Sequence, residues 1–101
     1  MRINSISNQN YGRKQNFGNL HIETNEQRRE IFCNLDERYT NKLDSIRCNP
    51  SQSITVTKNN DVYYWELGLG LHKPQKVETI NADLVTKVKK AIDYFYPGSD
   101  Y

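Results

Sequence analysis

The amino-acid sequence predicts a small α+β protein in which a three-stranded antiparallel sheet carries two helices packed on one face, in the order β-α-β-β-α. Two segments show the three- and four-residue apolar spacing of amphipathic helices, and a segment between them shows the two-residue alternation of paired strands. A short alternating segment precedes the first helix. The chain has 101 residues, which leaves room for one domain with a modest core.

The first strand and helix are predicted over residues 19–47. Residues 19–23 alternate apolar and polar side chains, as a short strand does. Thr24 and Gln27 then have the spacing of a capping box, in which each side chain satisfies a backbone N–H at the start of a helix. Apolar residues follow at helical spacing and predict one helix over 25–47: Ile31, Phe32, Leu35, Tyr39, Leu43 and Ile46. Pro50 favours an end to the helix just before it.

A hairpin is the clearest local prediction. Ile54 and Val56 alternate with polar residues, residues 58–61 tolerate left-handed turn conformations, and a β-rich run begins at Val62. The second strand offers two faces. The face predicted to pack against the helices holds Tyr63, Trp65, Leu67, Leu69 and Leu71, and the opposite face holds Val62, Tyr64, Glu66, Gly68 and Gly70.

The last helix follows a polar connection after Pro74. Asn81 is its predicted N-cap, and Pro97 marks its end. One stripe of this helix is apolar and is predicted to be buried: Leu84, Val85, Val88, Ala91, Ile92 and Phe95. The whole domain is therefore predicted to span 19–97, with a short C-terminal tail over 98–101.

Residues 1–18 are predicted to be a flexible tail, because they are rich in asparagine and glutamine and show no periodicity. Up to residue 22 the basic residues are Arg2, Arg13 and Lys14, with no acidic residue, whereas the rest has 11 basic against 12 acidic residues. In composition only, this segment resembles the unstructured leaders of proteins exported by bacterial contact-dependent secretion systems. That resemblance implies a leader that is read while unfolded; a solubilising tail is the alternative.

The chain is predicted to be cytoplasmic, with export through the N-terminal leader as the alternative. No run approaches the roughly 18 apolar residues of a membrane span, and the N-terminus lacks the apolar stretch of about 7–15 residues of a secretory signal. The near-neutral charge from Glu23 onward argues against a strong duplex-DNA binder, which neutralises many phosphates.

Catalytic and metal-binding chemistry finds little support in the residue pattern. His21, Cys33, Cys48 and His72 are separated by 12, 15 and 24 residues, which matches no compact zinc spacing. Cys33 and Cys48, placed on one helix, would lie about 22 Å apart, too far for a disulfide. The sequence contains no motif for an oxyanion hole and no third residue that would orient a cysteine–histidine pair. We therefore expect no metal, no cofactor and no enzymatic activity.

Two surfaces are candidates for binding. The first is the sheet face that the helices leave open, where Tyr64, Thr55, Thr57 and Val62 are predicted to contact a partner protein or a second copy. This makes a small protein–protein interaction module the leading hypothesis. The alternative is a nucleic-acid-binding accessory protein that uses the basic last helix and exposed tyrosines, because basic groups beside aromatic rings bind single strands. That patch would consist of Lys87, Lys89, Lys90 and Tyr94.

Overall fold

A computed structural model of the chain describes residues 20–67 and 73–98. The predicted tail 1–18 and, of the predicted C-terminal tail, residues 99–101 lie outside them. The described residues form seven elements: β1 (Leu20–Ile22), α1 (Asn25–Asn34), α2 (Glu37–Arg47), β2 (Gln52–Val56), β3 (Val62–Glu66), β4 (Gln75–Lys76) and α3 (Leu84–Phe95). The α+β class is confirmed. The finer prediction is corrected to three helices and a four-stranded mixed sheet within this part of the chain.

The sheet has the strand order β1-β2-β3-β4. β1 runs parallel to β2, whereas β3 is antiparallel to both β2 and β4. The prediction of an all-antiparallel sheet was therefore wrong at β1. The physical reason is the connection: α1 and α2 carry the chain back along the sheet, so that β2 starts from the same end as β1.

The helix predicted over 25–47 is broken in two. The capping box at its start is confirmed, since Thr24 accepts a hydrogen bond from the Gln27 backbone and the Gln27 side chain accepts one from the Thr24 backbone. Leu35 then takes an extended conformation, with φ −91° and ψ 136°. Asp36 caps the second helix by accepting a hydrogen bond from the Tyr39 N–H at 3.1 Å. The break at Leu35 and Asp36 lets α1 pack against β1 and α3 while α2 packs against β2 and α3.

The last helix begins at Leu84, later than the Asn81 cap predicted. Asp83 is the cap, and its carboxylate accepts a hydrogen bond from the Thr86 N–H at 2.7 Å. Asn81 instead occupies a turn with φ 61°, a left-handed conformation that asparagine tolerates better than most residues. The buried stripe of this helix is confirmed at Leu84, Val88, Ala91 and Ile92, with Val85 and Phe95 half-buried.

The hairpin of β2 and β3 is confirmed, but its turn is one residue shorter than predicted. The Thr57 N–H donates to the Asp61 carbonyl at 2.9 Å, so Thr57 and Asp61 close the ladder and only residues 58–60 make the turn. Asn60 supplies the left-handed residue of this turn, with φ 64°. A one-residue change of register turns every side chain of a strand to the other face.

This register reverses the predicted faces of β3. Ile54 is paired with Tyr64 and Val56 with Val62. The side chains of Ile54, Val56 and Val62 are fully buried on the helix side. The prediction that Tyr63, Trp65 and Leu67 pack against the helices was therefore wrong, and Leu67 is 41% exposed. Leu69 and Leu71 lie outside the described residues.

The core lies between the helices and one face of the sheet. Its central members come from every major element, and the largest fully buried side chains are Ile31, Leu43, Ile46, Ile54, Ile92, Val56, Val62 and Val88. Seven partly buried hydrophobic residues pack around this core: Leu20, Phe32, Tyr39, Tyr64, Val85, Phe95 and Tyr96. Neither Tyr63 nor Trp65 belongs to it, so these two rings lie on the side of the sheet away from the core.

Candidate interaction surfaces

The sheet face turned away from the helices presents two large aromatic rings. The cross-strand pairs on this face are Ser53 with Trp65 and Thr55 with Tyr63, and all four residues are half-exposed. None of them carries a formal charge. We refer to Ser53, Thr55, Tyr63 and Trp65 as the open sheet face. A hollow of about 360 Å³ beside it is lined by Thr55, Tyr63 and Pro74.

The four residues predicted to bind a partner are not brought together. Thr55 does lie on the open sheet face, but Val62 is fully buried. The ring of Tyr64 packs on the helix side, with its centroid 4.4 Å from that of Tyr94. Thr57 lies at the start of the hairpin turn, where its hydroxyl accepts a hydrogen bond from the Asp61 N–H at 3.2 Å. The geometric premise of that site was therefore wrong, because it combined residues from both faces.

Tyr63 and Trp65 are the residues of this face that sequence reasoning assigned to the core. A signal was present in the sequence, because an asparagine at the third turn position fits a three-residue turn whose last residue is left-handed. With that turn, Val56 pairs with Val62, and the aliphatic residues of both strands share one face. Tyr63 and Trp65 are then left on the other face.

The predicted basic patch on α3 is divided by the helix between two flanks. On one flank the Lys89 ammonium lies 5.2 Å from the centre of the Tyr39 ring, which belongs to α2. On the other flank Lys87 donates a hydrogen bond to the Asn60 carbonyl at 3.2 Å, in the hairpin turn. Lys90 and Tyr94 also lie on this second flank, where they border a groove. The structure therefore groups Lys87, Lys90 and Tyr94 and leaves Lys89 apart.

The groove beside α3 separates this helix from the last strand of the sheet. Its volume is about 420 Å³, and its lining comes from β3, β4, the residues that follow β4, and α3: Tyr64, Lys76, Val77, Glu78, Thr79, Lys90, Asp93 and Tyr94. We call it the α3–β4 groove. The Lys76 ammonium lies 3.4 Å from the Asp61 carboxylate. The negative charge of Asp61 raises the pKa of Lys76, so this lysine stays protonated throughout the physiological range.

Two carboxylates have a lowered pKa for a structural reason. The N–H of Tyr39 lowers the pKa of Asp36, and the N–H of Thr86 lowers the pKa of Asp83, because each hydrogen bond favours the ionised carboxylate. Both residues are helix N-caps. Their shifted pKa values are explained by capping, and they do not indicate a catalytic acid or base.

Other reactive groups are dispersed over the described residues. Cys33 and Cys48 are free and exposed. Within 20–67 and 73–98, no three histidine, cysteine, aspartate or glutamate residues come close enough together to hold a metal ion. His72 lies outside the described residues. Among the helices in those ranges, none has the length and apolar character needed to cross a membrane.

The chain was compared with protein-family models, with curated proteins and with solved structures, and none of the three comparisons found a match. The described residues define a small α+β fold, with a mixed four-stranded sheet that carries helices on one face. Arguments about its function rest on the open sheet face and on the flank of α3.

Proposed function

We propose that this protein is a small, non-enzymatic protein–protein interaction module that makes its main contact through the open sheet face. The observation that carries the proposal is the position of Tyr63 and Trp65, two large rings on the sheet face away from the core. Tryptophan and tyrosine are enriched at protein interfaces and often account for a large share of the binding energy. An aromatic pair with no core to support is best explained by a contact with another surface.

The chemistry of this face favours a protein surface, either of a partner or of a second copy of the chain. Ser53, Thr55, Tyr63 and Trp65 are uncharged. The ionisable neighbours on the same face lie at its margins: His21 is opposite Thr55 and 3.7 Å from the Glu23 carboxylate, and Lys76 is opposite Tyr63 and paired with Asp61. The centre of the face can therefore meet another protein without burying an unpaired charge. Their hydroxyl groups and the indole N–H supply hydrogen bonds around the apolar rings. Homodimer interfaces have this mixture of an apolar centre and polar groups at the margin.

The test is capture by the immobilised chain from its native lysate, together with sedimentation of the purified chain across a range of concentrations. We expect a variant with Tyr63→Ser and Trp65→Ser to weaken capture or self-association by about 1–2 kcal/mol or more. The matched control is Ile80→Ser, which removes an exposed apolar side chain outside this face. Equal effects of the two variants, or no effect of the first, would reject the open sheet face as the contact.

Nucleic-acid binding remains the second candidate, and one observation favours it. Lys87 and Lys90 lie on the same flank of α3 as Tyr94, whose ring is 41% exposed and can stack on a base. Binding of this kind weakens steeply between about 50 mM and 200 mM salt, whereas binding through uncharged rings does not. Salt-sensitive binding of single-stranded RNA or DNA that is lost in a Lys87→Gln and Lys90→Gln variant would move this candidate ahead.

A further inference from the structure

The last strand of the described sheet has an open outer edge. β4 ends the strand order, and the Val77 N–H donates to the Val62 carbonyl at 2.9 Å, so the backbone of Val77 is turned toward β3. Backbone direction alternates along an extended chain, and the N–H and C=O groups of Lys76 and Glu78 are therefore turned outward. An edge of this kind is a template for another strand.

The order of charges along this edge is self-complementary. Lys76 and Glu78 are both exposed, and Val77 between them is buried, so the two charged side chains share one face of the strand. In an antiparallel pair, residues that exchange hydrogen bonds lie directly opposite each other. A two-fold pairing of two such edges centred on Lys76 or on Glu78 places like charges opposite each other, which is destabilising. A pairing centred on Val77 instead places each Lys76 opposite Glu78 of the other chain.

The remaining charges near the edge do not alter this choice of register. The Lys76 ammonium lies 3.4 Å from the Asp61 carboxylate of its own chain, and a second carboxylate opposite it adds attraction. Lys90 and Asp93 belong to α3 and line the groove above the sheet, so they take no part in the pairing of the edge. One positive and one negative residue do not specify the charge of a foreign peptide, but they do match an identical edge in antiparallel orientation.

From these observations we propose that β4 pairs with β4 of a second copy of the chain, antiparallel and centred on Val77, and joins the two four-stranded sheets into one. Each Lys76 exchanges its outward backbone hydrogen bonds with Glu78 of the second copy, and their side chains form an ion pair. The contact is isologous, because the same surface is used by both chains. It leaves the open sheet face uncovered and does not rest on the function proposed for that face.

The first test is analytical ultracentrifugation of the full chain at increasing concentration, combined with amide hydrogen exchange followed by NMR. We expect a dimer with a dissociation constant between about 10 µM and 1 mM, since the paired segment is short. The amides of Lys76 and Glu78 should exchange more slowly as the dimer forms, whereas the Val77 amide, already bonded to Val62, should change little. A chain that stays monomeric at about 1 mM, or a dimer in which the Lys76 and Glu78 amides are unchanged, overturns the proposal.

The second test uses Lys76→Glu and Glu78→Lys, after far-UV circular dichroism has shown that both variants are folded. Each variant alone places like charges opposite each other at both ends of the pairing and should weaken the dimer by about tenfold. Mixed in equal amounts, the two variants should associate about as tightly as the original chain, because opposite charges then face each other again. Lys58→Glu, which makes the same charge change at an exposed residue of the hairpin turn, is the matched control and should have no effect.

Failure of the mixed variants to associate, or an equal effect of Lys58→Glu, overturns the proposal. The variant with Tyr63→Ser and Trp65→Ser separates this contact from the open sheet face and should keep the dimer. If that variant is monomeric while Lys76→Glu still forms the dimer, self-association belongs to the open sheet face, and the pairing of β4 is rejected.

Discussion

The side chain of Gln27 joins three parts of the fold. Its carbonyl oxygen accepts the Thr24 N–H, and its amide group donates to the Thr57 carbonyl and to the Asn60 side chain. The residue is only 6% exposed, so these groups are largely removed from water. The amide therefore connects the start of α1 to the hairpin turn and helps to hold the turn that determines the register of β2 and β3.

We expect Gln27→Ala to lower the free energy of unfolding by about 1–3 kcal/mol, because the Thr57 carbonyl loses a buried donor. Chemical denaturation measures this change. Asn34→Ala is the control, since the Asn34 amide only donates to the Glu30 carbonyl on the exposed surface of the same helix. The control should change stability by less than about 0.5 kcal/mol. Equal losses would mean that the Gln27 hydrogen bonds contribute nothing beyond helix propensity.

At the same scale, the alternation along β3 was predicted correctly, but the wrong alternate set was assigned to the core, because Asn60 at the third turn position is a weaker signal than the apolar side chains of β3. The two strands each show a two-residue period, and both assignments satisfy it. The buried set depends on the length of the turn, which is fixed by the hydrogen bond from the Thr57 N–H to the Asp61 carbonyl. A turn longer by one residue would bury the other set. The apolar character of Trp65 and the leucines after it favoured the wrong assignment. In the structure Val62 pairs with Val56 and both are fully buried, so this aliphatic pair, and not Trp65, faces the helices.

At the scale of elements, each helix of the described residues begins at a capping side chain that can be identified in the sequence. Thr24 and Gln27 were predicted correctly because both halves of a capping box are present. Asp36 and Asp83 are N-caps without a capping-box partner. They were not predicted because the apolar spacing continues across Asp36 and because Asn81 offered an alternative cap near Asp83. β4 covers only Gln75 and Lys76, too few residues for a periodicity, and pairing with β3 alone defines it.

The two aspartate caps make stability depend on pH in the acid range. Their pKa values are lowered in the folded state, so the stabilisation they provide is present at neutral pH and is lost as the pH falls through the folded-state pKa values, below about 4. A variant with Asp36→Asn and Asp83→Asn keeps neutral capping side chains. Its melting temperature should therefore fall less between pH 5 and pH ~2 than that of the original chain.

Circular dichroism melts at a series of pH values measure the difference. The control is Asp44→Asn, an exposed aspartate that pairs with Arg47 at 3.3 Å within α2 and caps no helix. It should leave the pH profile close to that of the original chain, because an exposed ion pair contributes little. If the double variant and the original chain lose stability in parallel, the caps do not contribute to acid unfolding.

At the scale of the whole molecule, the three helices of the described residues lie on one side of the mixed sheet and enclose a single core. The α+β class could be predicted because both periodicities occur in one short chain. The direction of β1 could not, since a three-residue strand pairs equally well either way until the path of α1 and α2 is known. The candidate interaction surfaces could not be predicted for the same reason, because each combines residues that are distant in the sequence.

This arrangement predicts opposite costs for substitutions on the two faces of the sheet. Ile54→Ala should lower the free energy of unfolding by about 2–5 kcal/mol, because the side chain is fully buried beneath the helices and leaves a cavity. Trp65→Ala removes a larger side chain but should cost less than about 2 kcal/mol, since the half-exposed ring remains partly in water in the folded state. Chemical denaturation of both variants compares them directly. If Trp65→Ala costs as much as Ile54→Ala, Trp65 is enclosed on the far side of the sheet, and the open sheet face is not available to a partner.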